Sequence, residues 1–167
     1  MTTTPSLIVV GVDESLAAEA ALAFALDEGV AHGHTVEAVT AWLWTSPYDG
    51  MDHVTSIEEG HEIARAVQQR ALERALGART DRPVVSQTVV HAHAGQALVE
   101  SAEGARMLVV GNGRKSALTR AMLGSISEYC VRHATAPVVV VADSRRLRPR
   151  VQGDLEAVPQ AGPRAVC

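Results

Sequence analysis

Residues 107–128, with the sequence MLVVGNGRKSALTRAMLGSISE, contain an apolar run, a glycine-bearing loop and the start of a helix. The run Met107–Val110 is typical of a parallel strand that is buried on both faces. Gly111 and Gly113 follow at its carboxyl end, where small side chains allow the chain to turn. The later segment 125–128 has the Ser-x-x-Glu spacing of a capping box, which predicts a helix whose first backbone N–H groups are unpaired. Unpaired N–H groups of this kind bind anions, so the segment predicts a phosphate-binding loop.

Apolar runs and helical segments alternate along most of the chain. The predicted strands are Leu7–Val12, Val36–Trp42, Val84–Val90, Met107–Val110 and Val138–Val141, and the predicted helices are Leu16–Val30, 56–76, Gln96–Ala102 and Ser125–His133. This alternation predicts right-handed crossovers and a parallel sheet with helices on both faces. We expect a single-domain, doubly wound α/β sandwich with five parallel strands in the order 3-2-1-4-5. Ligands of such sheets bind where the strand order reverses, here between the first and fourth strands.

The longest helical segment carries a second capping box and a regular apolar pattern. Ser56 and Glu59 have the spacing of the box, and Ile63, Val67, Ala71 and Ala75 then recur every four residues. This pattern predicts an amphipathic helix that buries those four side chains. The segment from Leu43 to Thr55 between the second strand and this helix is predicted to be an irregular loop.

Composition limits the classes of function. The chain has 167 residues, 47% of them hydrophobic, five aromatic residues and a formal net charge of -4. Few aromatic side chains and a negative net charge argue against a broad nucleic-acid interface or an anionic membrane as partner. Cys130 and Cys167 suggest neither a disulfide framework nor a metal site, and the amino-terminal sequence lacks the pattern of a secretion signal. We therefore expect a cytoplasmic protein.

The last part of the chain differs from the rest in composition. From Ser144 onward the sequence is rich in Arg, Pro and Gly and loses its periodicity. We predict an α/β domain over residues 1–143 and a disordered tail over residues 144–167.

Three landmarks of the chain resemble the universal stress protein family. They are Gly11-Val12-Asp13-Glu14-Ser15 after the first strand, the loop Gly111 to Ser125, and the segment His133-Ala134-Thr135-Ala136-Pro137-Val138. The resemblance covers about residues 6 to 142. It implies a five-stranded parallel sheet, homodimers paired through the last strand, here Val138, Val139, Val140 and Val141, and, in one large subgroup, binding of ATP with a divalent cation.

The loop matches the ATP-binding pattern of the family in part. That pattern is Gly, two residues, Gly, nine residues, then Gly followed by Ser or Thr, and Gly111, Gly124 and Ser125 match it. Arg114 occupies the middle glycine position, while Gly113 lies one residue early. Two outcomes are open: Gly113 provides the turn and Arg114 binds phosphate oxygens through charge-assisted hydrogen bonds, or the Arg114 side chain fills the phosphate cavity.

The resemblance also assigns roles to other residues. Asp13 matches the acidic residue near the ribose or the metal-phosphate group, although an Asp between a strand and a helix is also a common N-cap. Ala41 matches the position whose backbone contacts adenine. The backbone N–H groups of Ser125 and Ile126 are the predicted phosphate donors.

Metal-dependent and nucleophilic chemistry have little support in the sequence. His91 and His93 lie on one side of the third strand if the strand continues, but no Cys or carboxylate neighbours them closely, so we assign no metal ligand. The chain contains no Gly-x-Ser-x-Gly elbow, Walker sequence or dinucleotide-binding glycine pattern, and Cys130 is predicted to face inward.

The sequence thus predicts a cytoplasmic stress-response protein that binds ATP and Mg²⁺ and acts as a sensor or adaptor, with at most slow hydrolysis and no catalytic residue assigned. The alternative is a nucleotide-free dimeric module of the same fold that acts through protein interactions.

Overall fold

The fold is an alternation of strands and helices. The computed structural model describes residues 6–43, 56–77, 79–113 and 123–142. Within these ranges the elements are β1 Leu7–Gly11, α1 Leu16–His32, β2 Thr35–Trp42, α2 Ile57–Gly77, β3 Val85–His91, α3 Ala94–Ser101, β4 Met107–Gly111, α4 Ser125–His133 and β5 Val138–Val141. The predicted bounds differ from these by at most two residues at each end.

The five strands form one parallel sheet in the order β3-β2-β1-β4-β5. Val9 in the central strand lies opposite Glu37 of β2 on one side and Leu108 of β4 on the other. The predicted fold class and strand order are therefore confirmed. β3 and β5 are the outer strands, so Val138–Val141 lies at an edge of the sheet.

The sheet has a separate apolar core on each face, because side chains alternate between the faces of a strand. The core under α1 and α2 contains Ile8, Val10, Leu22, Leu26, Val36, Leu72 and Val109. The core under α3 and α4 contains Val9, Val39, Leu98, Leu108, Val110 and Cys130. Continuous apolar runs in the central strands are the consequence of burial on both faces.

The buried face of α2 agrees only in part with the four-residue spacing, because Ala71 is buried and Ala75 packs against the core but Ile63 does not. The buried residues are Gly60, Ala64, Gln68, Ala71 and Leu72. Ile63 is 50% exposed, so its predicted burial is wrong. Gly60 explains the rotation of the helix: a Cβ there would meet the ring of Trp42, so α2 approaches β2 closely on the face that carries Gly60.

Helix capping follows the prediction for α2. Ser56 Oγ accepts a hydrogen bond of 3.1 Å from the Glu59 backbone N–H, which is the N-cap contact that the Ser-x-x-Glu spacing predicted.

In the part of the chain that the structure describes, no helix is both long and apolar enough to span a bilayer. The loop residues 44–55 and the predicted tail from residue 144 lie outside the described residues.

Candidate functional site

The candidate site lies at the carboxyl ends of β1 and β4, which are neighbours in the middle of the sheet. From β1 the chain continues to α1 and β2 on one side, and from β4 it continues to α4 and β5 on the other. The two connections therefore diverge, and a crevice is expected between the loops because the strand order reverses there. The predicted residues Asp13, Gly111 and Gly113 follow or end these two strands.

Asp13 is exposed in the loop between β1 and α1. Its Oδ1 accepts a hydrogen bond of 2.7 Å from the Ser15 backbone N–H, an Asx turn that sets the direction of the side chain. The N-cap of α1 is Ser15, whose Oγ accepts from the Ala18 N–H at 3.1 Å. The N-cap role considered for Asp13 is therefore wrong, and only one oxygen of its carboxylate is used by this turn.

The first turn of α1 lies against Gly111 at the end of β4. Leu16 and Ala17 are its first two residues, and the N–H groups at these positions have no partner within a helix. They add partial positive charge at the carboxyl end of β1.

Gly111 allows β4 to lie directly against the first turn of α1. A Cβ at Gly111 would lie 2.5 Å from the Ala17 carbonyl oxygen and 2.7 Å from the Ala18 nitrogen, and closer still to the Ala17 carbonyl carbon. These are backbone atoms of a helix, which cannot move away independently. Gly111 is thus required for packing, a role that its position in a phosphate-loop pattern did not reveal.

Gly113 has a different environment. Among the described residues, the nearest atom to a Cβ there would be Ser15 Oγ, at 4.0 Å. Its φ is not positive, since the described glycines with positive φ are Gly33 and Gly104. Gly113 therefore lies beside the N-cap of α1.

The amino terminus of α4 differs from the prediction in its cap. The N-cap is Gly124, with φ -67° and ψ 157°, and no side chain caps the helix. The predicted capping box of Ser125 and Glu128 is wrong, because Ser125 is already the first helical residue and the Glu128 N–H donates to the Gly124 carbonyl at 2.8 Å. Ser125 and Ile126, the first two residues of the helix, are exposed at this end.

Two side chains that sequence reasoning missed attach α4 to the end of β4. Asn112 Oδ1 accepts from the Gly124 N–H at 3.1 Å. The buried Ser127 donates its hydroxyl to the Gly111 carbonyl at 3.0 Å. These two hydrogen bonds, one at the N-cap Gly124 and one at Ser127, fix the start of α4 relative to the end of β4. Asn112 had a usable signal, because it lies between two glycines at a strand end.

Ala41 lies in β2, half-buried and opposite Val90 of β3. Ala41 belongs to the second strand, as predicted, and its proposed backbone contact with adenine stays a prediction. The next residue, Trp42, stacks on His91 with ring centroids 4.4 Å apart.

His91 thus lies in an aromatic stack. Across the described ranges, no group of three or more His, Cys, Asp or Glu side chains has the arrangement of a metal site. Cys130 is buried, as predicted, and burial raises the pKa of its thiol to about 11. Arg114, with its neighbour Lys115, lies outside the described residues.

Comparison with known proteins agrees with this geometry. Residues 6–142 match the sequence pattern described as the Universal stress protein family. The chain belongs to this family.

Curated members of the family also align with this chain in sequence. Universal stress protein Rv2005c of Mycobacterium tuberculosis is 33% identical over 140 residues, which are 80% of this chain and 47% of that protein. The chain therefore spans about half the length of the curated relatives it matches.

Solved structures of universal stress proteins share the fold. One, a universal stress protein in complex with cAMP, is 25% identical, with a TM-score of 0.64, and the alignment covers 85% of this chain and 100% of the other. Another, a family member from Arabidopsis thaliana with AMP bound, has a TM-score of 0.55 over 83% of this chain and 92% of the other. At 16% identity it supports the fold alone.

A second depression in this universal stress protein lies at the opposite end of α1. It is lined by Asp27, Val30, Ala31, Arg79, Thr80 and Asp81. The Arg79 guanidinium there donates to Asp27 Oδ1 at 2.6 Å, to the Ala75 carbonyl at 3.2 Å and to the Ala23 carbonyl at 3.1 Å. These contacts join α1 to the end of α2, which is a structural role.

Proposed function

We propose that this protein binds an adenine nucleotide, ATP with Mg²⁺, at the carboxyl ends of β1 and β4. The observation that carries the proposal is the convergence of two helix amino termini on the end of β4: the first turn of α1 packs against Gly111, and the start of α4 is hydrogen bonded to Gly111 and Asn112. Unpaired N–H groups and the positive ends of two helix dipoles favour a polyanion there. The cAMP complex of a family member 25% identical to this chain supports an adenine nucleotide as the ligand.

The proposed contacts divide between phosphate, sugar and base. The N–H groups of Ser125 and Ile126, with the backbone around Gly111, Gly113 and Gly124, bind the phosphates. Ala41 contacts adenine through its backbone, and Asp13 contacts the ribose or the metal-phosphate group.

Asp13 is suited to bind the Mg²⁺ of a nucleotide. It keeps one carboxylate oxygen outside its Asx turn, and carboxylate oxygen is a usual Mg²⁺ ligand. A bound Mg²⁺ would supply positive charge that offsets the charge of the phosphates. Asp13 then has two tasks on separate oxygens: Oδ1 orders the loop and Oδ2 faces the ligand.

Binding without rapid turnover is the expected behaviour. Phosphoryl transfer to water requires a residue that orients the attacking water, besides donors for the phosphates. The sequence provides N–H donors for the phosphates and a ligand for the cation, but we assign no residue that orients the attacking water. We therefore propose a sensor or adaptor in the stress response, in which nucleotide occupancy is the signal and hydrolysis is slow.

Arg114 supports a second candidate function, a nucleotide-free dimeric interaction module. It occupies the position where the ATP-binding pattern of the family has glycine. Its guanidinium either binds phosphate or fills the cavity, and Arg114→Gly distinguishes the two. ATP affinity that falls in the variant means that Arg114 binds phosphate, whereas affinity found only in the variant means that Arg114 blocks the site.

We also propose a cytoplasmic homodimer paired through β5. Val138–Val141 are half-buried and lie on the outer strand of the sheet, and apolar edge strands favour pairing with a second chain. Light scattering at low micromolar concentration tests this, and a monomeric mass would contradict it.

Native mass spectrometry of gently purified protein tests the proposed ligand. We expect an adenine nucleotide that co-purifies or can be added back by titration. A protein that carries none and binds none would exclude the nucleotide proposal and leave the interaction module.

A further inference from the structure

A buried polar network connects α2 to the loop that carries Asp13. Gln68 and Thr40 are both polar residues in the apolar core, 1% and 5% exposed. Gln68 Nε2 lies 2.9 Å from the Ala38 carbonyl oxygen, 3.0 Å from that of Thr88 and 3.2 Å from Thr40 Oγ1. Since all three neighbours are oxygens, the amide nitrogen and not the amide oxygen must face them.

Thr40 passes this connection to the end of β1. Its hydroxyl donates to the Val12 carbonyl at 2.9 Å, and it therefore keeps a lone pair for the Gln68 amide. The Val12 N–H donates in turn to the Val39 carbonyl at 2.9 Å. Both backbone groups of Val12 are thus fixed by β2, one through the strand and one through a side chain.

The Val12 carbonyl belongs to the peptide group that leads into Asp13. A peptide group is planar, so fixing its carbonyl also fixes the direction of the Asp13 N–H and the start of the Asp13 backbone. Asp13 Oδ1 then accepts from the Ser15 N–H at 2.7 Å. Gln68 and Thr40 therefore fix the peptide group that precedes Asp13, and the separate hydrogen bond from Ser15 fixes the Asp13 side chain.

The choice of residue types points to more than packing. Valine at position 40 would fill nearly the same volume in a β-strand without a hydroxyl that must be paired when buried. A methionine at position 68 would likewise fill the space of Gln68. In addition, Thr40 directly precedes Ala41, the proposed adenine contact. Its hydroxyl therefore connects this part of β2 to the end of β1, where Asp13 is the proposed acidic contact.

We infer that Thr40, supported by Gln68, is a positioning residue that holds Asp13 and Ala41 at the separation which an adenine nucleotide requires. This inference rests on the proposed function. Its distinctive consequence is that a core hydroxyl without ligand contact controls affinity by orienting the Val12–Asp13 peptide.

The test compares four variants of the full chain by ATP titration and by ¹⁵N amide spectra without ligand. Thr40→Val removes the hydroxyl, and Thr40→Ser retains it. Gln68→Met removes the supporting amide and provides a second variant if Thr40→Val does not fold. Val36→Ala is the matched control, because Val36 is a fully buried residue on the same face of β2 at its opposite end.

We expect Thr40→Val to weaken ATP binding on the order of tenfold, the equivalent of about 1.4 kcal/mol, and Gln68→Met to weaken it less. Thr40→Ser should restore binding, and Val36→Ala should bind ATP like the wild type even though it is less stable. Without ligand, the Asp13 and Ser15 amide resonances should shift in Thr40→Val and Gln68→Met but stay in place in Val36→Ala.

Unchanged Asp13 and Ser15 resonances in folded Thr40→Val or Gln68→Met would overturn the inference. Equal loss of ATP affinity in Val36→Ala would do so as well, because the effect would then follow stability alone. If the wild type binds no ATP, the proposed function fails, and the ligand-free spectra still decide whether Thr40 positions Asp13.

Discussion

Replacing Gly111 by alanine tests the packing between the end of β4 and the first turn of α1. The new Cβ would lie 2.5 Å from the Ala17 carbonyl oxygen and 2.7 Å from the Ala18 nitrogen. Neither side can move freely, because β4 is paired with β1 and β5 and α1 is packed on the sheet. We therefore expect a loss of unfolding free energy of about 3 kcal/mol, the upper part of the range for overpacked cores.

Thermal unfolding followed by circular dichroism measures this loss. For a domain of this size, about 3 kcal/mol corresponds to a Tm that is lower by roughly 10 °C. Gly113→Ala is the matched control, since its nearest neighbour among the described residues is Ser15 Oγ at 4.0 Å and its φ is not positive. It should be neutral or more stable by up to about 1 kcal/mol, because alanine restricts the unfolded chain. A Gly111→Ala variant as stable as Gly113→Ala would refute the packing role.

Three further predictions concern other contacts. Asn112→Ala should cost about 1 kcal/mol, because the Gly124 N–H loses its acceptor; chemical denaturation measures this, and an unchanged midpoint would contradict it. Gly60→Ala should lower Tm and change the tryptophan fluorescence, since the Cβ would lie 2.7 Å from Trp42 Cε3; a spectrum and Tm like those of the wild type would argue against that contact. The Cys130 thiol, with its pKa raised by burial to about 11, should react with alkylating reagents only after unfolding at neutral pH. The pKa of this thiol is higher in the folded state, about 11, than the unfolded value of 9.0. The contribution of the neutral thiol to the free energy of unfolding should therefore be complete below pH 9.0 and be lost toward pH 11. Equal stability of the wild type and Cys130→Ala across this interval would contradict this prediction.

The strands and their order were predictable because burial on both faces leaves a plain apolar run. Leu7–Gly11 and Met107–Gly111 are such runs, the half-buried edge strand Val138–Val141 is apolar as well, and the alternation of strands with helices specifies parallel pairing. The face of α2 was not predictable from a four-residue spacing. Ile63 fits that spacing and is exposed, since the close approach of Gly60 to Trp42 determines the rotation of the helix.

The candidate site was predictable in its location and less so in its contacts. Asp13 and Gly111 follow from their places at strand ends, and the ends of β1 and β4 do lie together. The roles of Asn112 and Thr40 depend on partners 12 and 28 residues away in sequence. Hydrogen bonds over such separations follow from the tertiary fold. The place of Asn112 between two glycines marked the residue but not its partner, and Thr40 had no local signal at all.

The central claim is that an adenine nucleotide binds where β1 and β4 end. Titration of ¹⁵N-labelled protein with ATP and Mg²⁺, followed by amide chemical shifts, tests it most directly, with inorganic pyrophosphate as a probe for the phosphate contacts alone. We predict saturable shifts at Asp13, Gly113, Ser125 and Ile126 with ATP, and shifts confined to the amides at the start of α4 and the adjoining loop with pyrophosphate. Saturable shifts centred on the distant depression around Arg79, or no saturable shifts at all, would contradict the claim.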